Sequence, residues 1–146
     1  MSETKQIIVR CRGVILHEEK MLVVKHSPDF DFYAFAGGKL EHGEDVVECK
    51  QRVLFEELGV TPVIGRLLYI HTFINKDDIQ SLEFIFEIKN GADYLNTGEL
   101  TRSHAHEIAE IIWVDKNTDI KILPKEIFED FKNGGILSDQ TRFIKA

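Results

Sequence analysis

Residues 36–60 read AGGKLEHGEDVVECKQRVLFEELGV. Gly37, Gly38 and Gly43 permit turns that a Cβ forbids. Glu44 or Asp45 stands where a first-turn acid favours the helix dipole, and Gly59 is placed to end a helix from about Asp45 to Leu58. At about 100° per residue, Val47, Leu54 and Leu58 gather on one side with Gln51 and Phe55 beside them, so this side is expected to face a sheet. On the opposite side Glu56 and Glu57 lie about 100° apart, with Val53 between them and one turn earlier. Val53 is therefore expected at the centre of an acidic face.

Outward from this helix the chain reads as strands. Residues 7–16 and 21–26 are apolar, β-branched runs separated by His17-Glu18-Glu19-Lys20, which suits an antiparallel hairpin. Residues 63–74 form another β-prone run. Residues 81–89 alternate, with Leu82, Phe84, Phe86 and Ile88 on one face and Glu83, Ile85 and Glu87 on the other. A further strand is expected over 107–114, ending in Trp113-Val114. Pro124 suits the first turn of a second helix carrying Ile127, Phe128 and Phe131 on one side, which Gly134-Gly135 would stop. Strands with two helices imply a layered α/β or α+β fold around a mixed sheet.

The 146 residues, 43% hydrophobic and with ten Phe, suffice for one core, so a single domain over 1–146 is expected. The first 13 residues carry Glu3, Lys5, Arg10 and Arg12 without a continuous apolar block, and no later run reaches membrane-span length. A cytoplasmic protein without a membrane partner is the expectation. Cys11 and Cys49 lack C-x-x-C spacing and read as packed thiols. A net charge of −7 argues against a nucleic-acid polymer as partner, because phosphate-backbone affinity relies on clustered Lys and Arg. A phosphate-bearing small molecule would need a cation between it and this surface.

Residues 41–60 hold six acids, Glu41, Glu44, Asp45, Glu48, Glu56 and Glu57, against the two bases Lys50 and Arg52. Two neighbouring carboxylates near a helix C-terminus do nothing for the helix, where the dipole prefers cations. One reading is a solvated face with Arg52 paired to Glu56 or Glu48. The other draws on the double-glycine loop just before: carboxylates and backbone carbonyls are the oxygen donors that Mg²⁺ or Mn²⁺ takes.

The spacing resembles the Nudix box, G-x5-E-x7-R-E-U-x-E-E-x-G-U with U a bulky aliphatic. Gly38, Glu44, Arg52, Leu54, Glu56, Glu57, Gly59 and Val60 fall in register, and Gly37, Leu40, Glu41 and Gly43 are similar to the family's usual loop. Val53 stands where the pattern has Glu, and Ala36 where many relatives carry Pro. The resemblance implies an α/β Nudix fold, an α/β/α sandwich around a mixed sheet. It implies Mg²⁺-dependent hydrolysis, Mn²⁺ being the alternative ion, of the pyrophosphate bond in a nucleoside diphosphate linked to another moiety, such as a nucleoside triphosphate or nucleotide sugar. By the same resemblance Glu56, Glu57 and Glu107 are the candidate catalytic residues, and Gly37 joins them as a metal ligand. Glu110 is the second choice for the acid from the later loop. Arg52, Glu44 and Gly38 are expected to brace the loop against the helix. Dimers are common in the family, so a homodimer is left open.

In MutT-like members the Glu at the Val53 position acts near the metals as general base or ligand, and valine does neither. A lost base typically costs about 10²- to 10⁴-fold in rate. Three accounts stay open: a base from Glu107, His104 or His106; a weakened or inactive nucleotide-binding or regulatory module; or a retained fold without a ligand. His104 and His106 have no third ligand nearby for zinc. His71 reads as a hydrogen-bonded core or edge residue, and His42 carries no inference. Phe32, Tyr33, Phe35 and Phe73 are candidates to stack on a base, and Lys25, Arg10 and Arg12 to contact phosphates, although alternation does not show which face they use. Residues 75–78, Asn-Lys-Asp-Asp, hold neither the proline nor the tyrosine that marks two of the family's substrate groups.

Overall fold

The computed structural model describes residues 5–100, 108–136 and 139–145. In chain order they form β1 (Ile7–His17), β2 (Lys20–Lys25), β3 (Ala36–Lys39), α1 (Val46–Leu58), β4 (Ile64–Ile74) and β5 (Gln80–Ile88). After a 3-10 turn at Gly91–Tyr94 come β6 (Glu110–Val114), α2 (Lys125–Lys132) and β7 (Arg142–Lys145). The sheet runs β6-β2-β1-β5-β4-β7, with β3 added to β1. β1 organises it: its end turns back into β2 at Leu16↔Met21, its middle pairs antiparallel with β3, and its other edge runs parallel to β5. A parallel pair needs a long crossover, and the segment containing α1 supplies part of it. One buried cluster packs β1 and β2 against α1 through Cys11, Ile15, Leu22, Leu54 and Leu58. The second packs the sheet against α2 through Val14, Met21, Ile85, Ile127 and Phe128. Helices on both sides of a mixed sheet make the α/β/α layering that the Nudix resemblance implies.

α1 forms where the sequence signals place it. Asp45 caps it by accepting a hydrogen bond from the Glu48 N–H at 2.8 Å while the Glu48 side chain accepts from the Asp45 N–H at 3.1 Å. Gly59 ends it in the left-handed conformation, φ 76°, its N–H donating to the Phe55 carbonyl at 2.7 Å. Its buried face differs from the expected one. Val47 and Phe55 are 56% and 51% exposed, while Cys49, Val53, Leu54, Glu57 and Leu58 are buried. Hydrophobicity alone misplaces the face by about a quarter turn. The helix rolls toward β1 and β3, where glycines let it approach: a Cβ at Gly13 would stand 2.9 Å from the Leu54 Cδ1, and one at Gly38 would stand 3.2 Å from the Val53 Cγ1.

β5 also departs from its simple reading. The alternation is present, but the face carrying Glu83 is buried together with Ser81 and Ile85, while Leu82 and Phe84 remain partly exposed. The register explains it. Arg10 pairs with Glu83 and Arg12 with Ile85 across β1–β5, and His71 pairs with Glu83 across β4–β5. One sheet face therefore carries Arg10 and Arg12 before Val14, Ser81 and Glu83 before Ile85, and Phe73 and His71 before Tyr69. Val14, Ile85 and Tyr69 belong to the core cluster that includes Ile127 and Phe128 of α2. The polar ends of the same strands line a cavity. Among the described residues no helix is long and apolar enough to cross a membrane.

Candidate functional site

Glu57 is 6% exposed. Its Oε2 accepts a hydrogen bond from the Gly37 N–H at 2.9 Å, and its Oε1 lies 3.6 Å from the His26 Nε2. No Lys or Arg lies within salt-bridge distance of it among the described residues. A buried carboxylate with so little compensation is an electrostatic liability unless a cation joins it. Gly37 has to be glycine for this arrangement, because a Cβ there would fall 2.1 Å from the Cys11 carbonyl oxygen. Val53 lies beneath the same loop, 3% exposed and part of the α1 core cluster. The expected acidic face with valine at its centre is thus corrected: Val53 and Glu57 turn inward against β3, and only Glu56 lies at the surface.

Arg52 holds the loop to the helix. Its Nε and Nη2 donate to the two Glu44 carboxylate oxygens at 2.6 and 3.0 Å, Nη2 also donates to the Lys39 carbonyl at 2.9 Å, and Nη1 donates to Glu56 at 3.0 Å. Hydrogen bonds from Arg52, opposed by burial, hold the Glu44 carboxyl down at about 2. Glu44 in turn accepts from the Glu41 N–H at 3.0 Å. Gly38 lies between, against Val53.

The polar end of the sheet face and the segment after β2 enclose a cavity of about 890 Å³. Arg10, Arg12, His26, His71, Ser81 and Glu83 are among its lining residues. Arg12 donates to Glu83 at 2.8 Å and to the Phe35 carbonyl at 2.8 Å, and Arg10 donates to the Ser81 hydroxyl at 2.7 Å. The His71 Nδ1 lies 3.1 Å from the other Glu83 oxygen. Burial works to raise the Glu83 carboxyl, but the adjacent Arg12 charge and the hydrogen bonds from His71 and Arg12 bring it down to about 2. Burial and the neighbouring Arg12 charge lower the Arg10 guanidinium. His26 joins the two regions, since it lines the cavity and approaches Glu57.

The residues singled out in the sequence distribute as follows. Gly37 and Glu57 come together, and Arg52, Glu44 and Glu56 form the adjoining clamp. Glu107, His104 and His106 lie outside the described residues. Glu110 starts β6 and accepts from the Tyr33 hydroxyl at 2.5 Å, a bond that leads the causes pushing the Tyr33 phenol up to about 12. Lys25 lies over the Tyr33 ring. Phe35 is fully buried in the core, so it is not available to stack on a ligand, whereas Phe32 and Phe73 line the cavity. Arg10 and Arg12 face that cavity, which answers the question alternation left open. His71 is a buried, hydrogen-bonded strand residue, as read, and its place in the cavity wall is an addition. Sequence reasoning missed His26 and Glu83. The signal for Glu83 is the parallel register of β1 on β5, a long-range pairing that local periodicity does not contain.

Among the described residues no three His, Cys, Asp or Glu side chains converge as a metal cage. The buried Glu57 carboxylate beside a backbone loop offers the oxygen chemistry of a hard divalent cation that keeps several waters and takes oxygens from a phosphate ligand, while Glu56 stands at the surface against Arg52.

The NUDIX domain family matches this chain over residues 8–128. An ADP-ribose pyrophosphatase of Methanocaldococcus jannaschii is 29% identical over 136 residues, covering 90% of this chain and 71% of that protein. The fold is similar to the MutT NUDIX hydrolase from Burkholderia pseudomallei, with a TM-score of 0.67 at 18% identity over 85% of this chain and 96% of that one. It is also similar to the E. coli ORF135 protein, with a TM-score of 0.66 at 19% identity over 93% and 96%.

Proposed function

We infer the activity from one premise: the chain belongs to the NUDIX domain family. It is a pyrophosphohydrolase that cleaves a nucleoside diphosphate linked to another moiety, with divalent metal bound, Mg²⁺ first and Mn²⁺ second. ADP-ribose is the first compound to test, because the relative from Methanocaldococcus jannaschii is an ADP-ribose pyrophosphatase. Nucleoside triphosphates and nucleotide sugars follow. The observation that carries this reading is the buried Glu57 carboxylate, fixed by the Gly37 N–H and joined through His26 to a cavity lined by Arg10 and Arg12.

Glu57 and Glu56 would hold the metal, and the Gly37 carbonyl and Glu107 are the further donors proposed. When bound, a divalent ion neutralises charge developing on phosphate oxygens and acidifies its water. The chain's own residues do the rest. Gly37 orients the Glu57 carboxylate, Arg52 positions Glu56 and ties the loop to α1, and Arg10 and Arg12 give the cavity positive potential that the net acidic chain otherwise lacks. Val53 has no titratable group, so the proton acceptor lies elsewhere, with Glu107, His104 and His106 the proposed sources.

The experiment is incubation with Mg²⁺ or Mn²⁺ and a panel of ADP-ribose, nucleotide sugars, nucleoside triphosphates and dinucleoside polyphosphates, following phosphate, pyrophosphate and nucleoside monophosphate. Metal-dependent release of nucleoside monophosphate is expected. Thermal stabilisation by the same compounds without any turnover would instead identify a nucleotide-binding module.

A further inference from the structure

We propose that His71 reads a hydrogen-bond donor on the non-phosphate end of the substrate, so that the protein favours a nucleobase with an exocyclic amino group over its oxo counterpart. This rests on the pyrophosphohydrolase reading and adds the part of the ligand that the cavity distinguishes.

The His71 ring is fixed on two sides. Its Nδ1 lies 3.1 Å from a Glu83 oxygen whose partner oxygen is held by Arg12, and its plane stacks on Phe73 with centroids 4.8 Å apart. A carboxylate only accepts, so the Nδ1 facing Glu83 carries a proton, and in the neutral form of the ring Nε2 is then a bare lone pair. That Nε2 is buried and has no hydrogen-bond partner among the described residues, in a residue 6% exposed. Buried polar atoms without partners are uncommon in folded proteins, and this one belongs to a residue of the cavity wall.

Position and surroundings suit a base. Gly37, beside Glu57, and His71 are separated by three strand spacings across β3, β1, β5 and β4 and by two residues along them, about 16 Å in all, a span of the order of a sugar and base with its linking phosphates. Phe73 and the stacked pair Phe30 and Phe32, with centroids 5.0 Å apart, supply flat apolar walls. Arg10 and Arg12 are donors, so Nε2 supplies an acceptor where the neighbouring cations supply none. An amino group would give its N–H to Nε2. An oxo group would set one lone pair against another and leave Nε2 unpaired, the situation in which a polar site discriminates most strongly.

The test pairs ligands that exchange the amino group for an oxo group, with the adjacent ring nitrogen changing from acceptor to N–H donor. Binding of AMP against IMP, and CMP against UMP, none of which holds a pyrophosphate bond to cleave, is measured by calorimetry with Mg²⁺. kcat/KM is measured with Mg²⁺ for ADP-ribose against its inosine analogue. Both are repeated with His71→Asn, whose amide keeps a group near the Nδ1 position and deletes the Nε2 atom. The wild type should favour the amino member by at least about tenfold, and the ratio should fall below about threefold in the variant. A wild-type ratio near one, an unchanged ratio in the variant, or no binding of either nucleotide overturns the proposal. Should the variant fail to fold, N6,N6-dimethyl-AMP on the wild-type protein decides, since binding as tight as that of AMP overturns it. Discrimination between AMP and IMP without cleavage of any diphosphate substrate would sink the hydrolase reading and leave this one standing.

Discussion

Arg52 grips Glu44 as a fork, Nε 2.6 Å from one carboxylate oxygen and Nη2 3.0 Å from the other. The same guanidinium reaches the Lys39 carbonyl, so a single side chain fastens the end of β3 to the middle of α1.

Arg52→Lys keeps the charge and loses the fork. It should cost about 1 kcal/mol, since the pair is partly solvated, and should lower metal-dependent kcat/KM along with Tm. The pH dependence has a definite sign. With its carboxyl held at about 2 against an ordinary value of 4.5, Glu44 contributes stability that is complete above pH 4.5 and is lost as pH falls toward 2. Glu44→Gln should remove its share of that acid limb in Tm measured against pH, and an unaltered limb would show that the pair contributes nothing.

Glu57→Gln keeps an acceptor for the Gly37 N–H and removes a poorly compensated buried charge. Without metal the variant should melt at or above the wild-type temperature. The Tm increase produced by Mg²⁺ should vanish, and hydrolysis should fall by at least about 100-fold. Full metal-dependent activity in this variant would take Glu57 out of the ligand set.

Val53→Glu places a carboxylate in an apolar cluster against Gly38. In metal-free protein it should destabilise by roughly 2–4 kcal/mol. Added Mg²⁺ should recover more of that loss than it adds to the wild type, because the new carboxylate lies one helical turn before Glu57. A loss of Tm that Mg²⁺ leaves untouched would show the side chain trapped away from the cation.

Gly37→Ala would drive a methyl group into the Cys11 carbonyl, and the backbone of β3 must move to admit it. We expect a cost of more than about 2 kcal/mol together with loss of the Mg²⁺-dependent Tm shift. Gly43→Ala is the control. Its φ is 84° but its Cβ would meet open space, so it should cost only about 1 kcal/mol.

Much of this site was legible because its parts are local. The glycine turn, the Asp45 cap, the Gly59 stop and the Arg52 spacing act within 25 residues, and the fold belongs to the family whose box they resemble. The hydrophobic face of α1 was misread because Val47 and Phe55 count as apolar wherever they stand. What orients the helix is the close approach allowed by Gly13 and Gly38, residues outside the helix altogether. The cavity was hidden for a related reason. Arg12, His71 and Glu83 lie on three strands whose order and register depend on a parallel pairing between positions 73 residues apart, such as Arg10 and Glu83.

The face shared by β1, β4 and β5 is one ladder with two kinds of rung. Arg10, Ser81 and His71 can be exchanged to suit a different guest while Val14, Ile85 and Tyr69 continue to carry α2. New preferences can therefore evolve within this scaffold by swapping side chains at one end of three strands. Tightness gained there reaches the interior directly, because guest and helix lean on the same backbone.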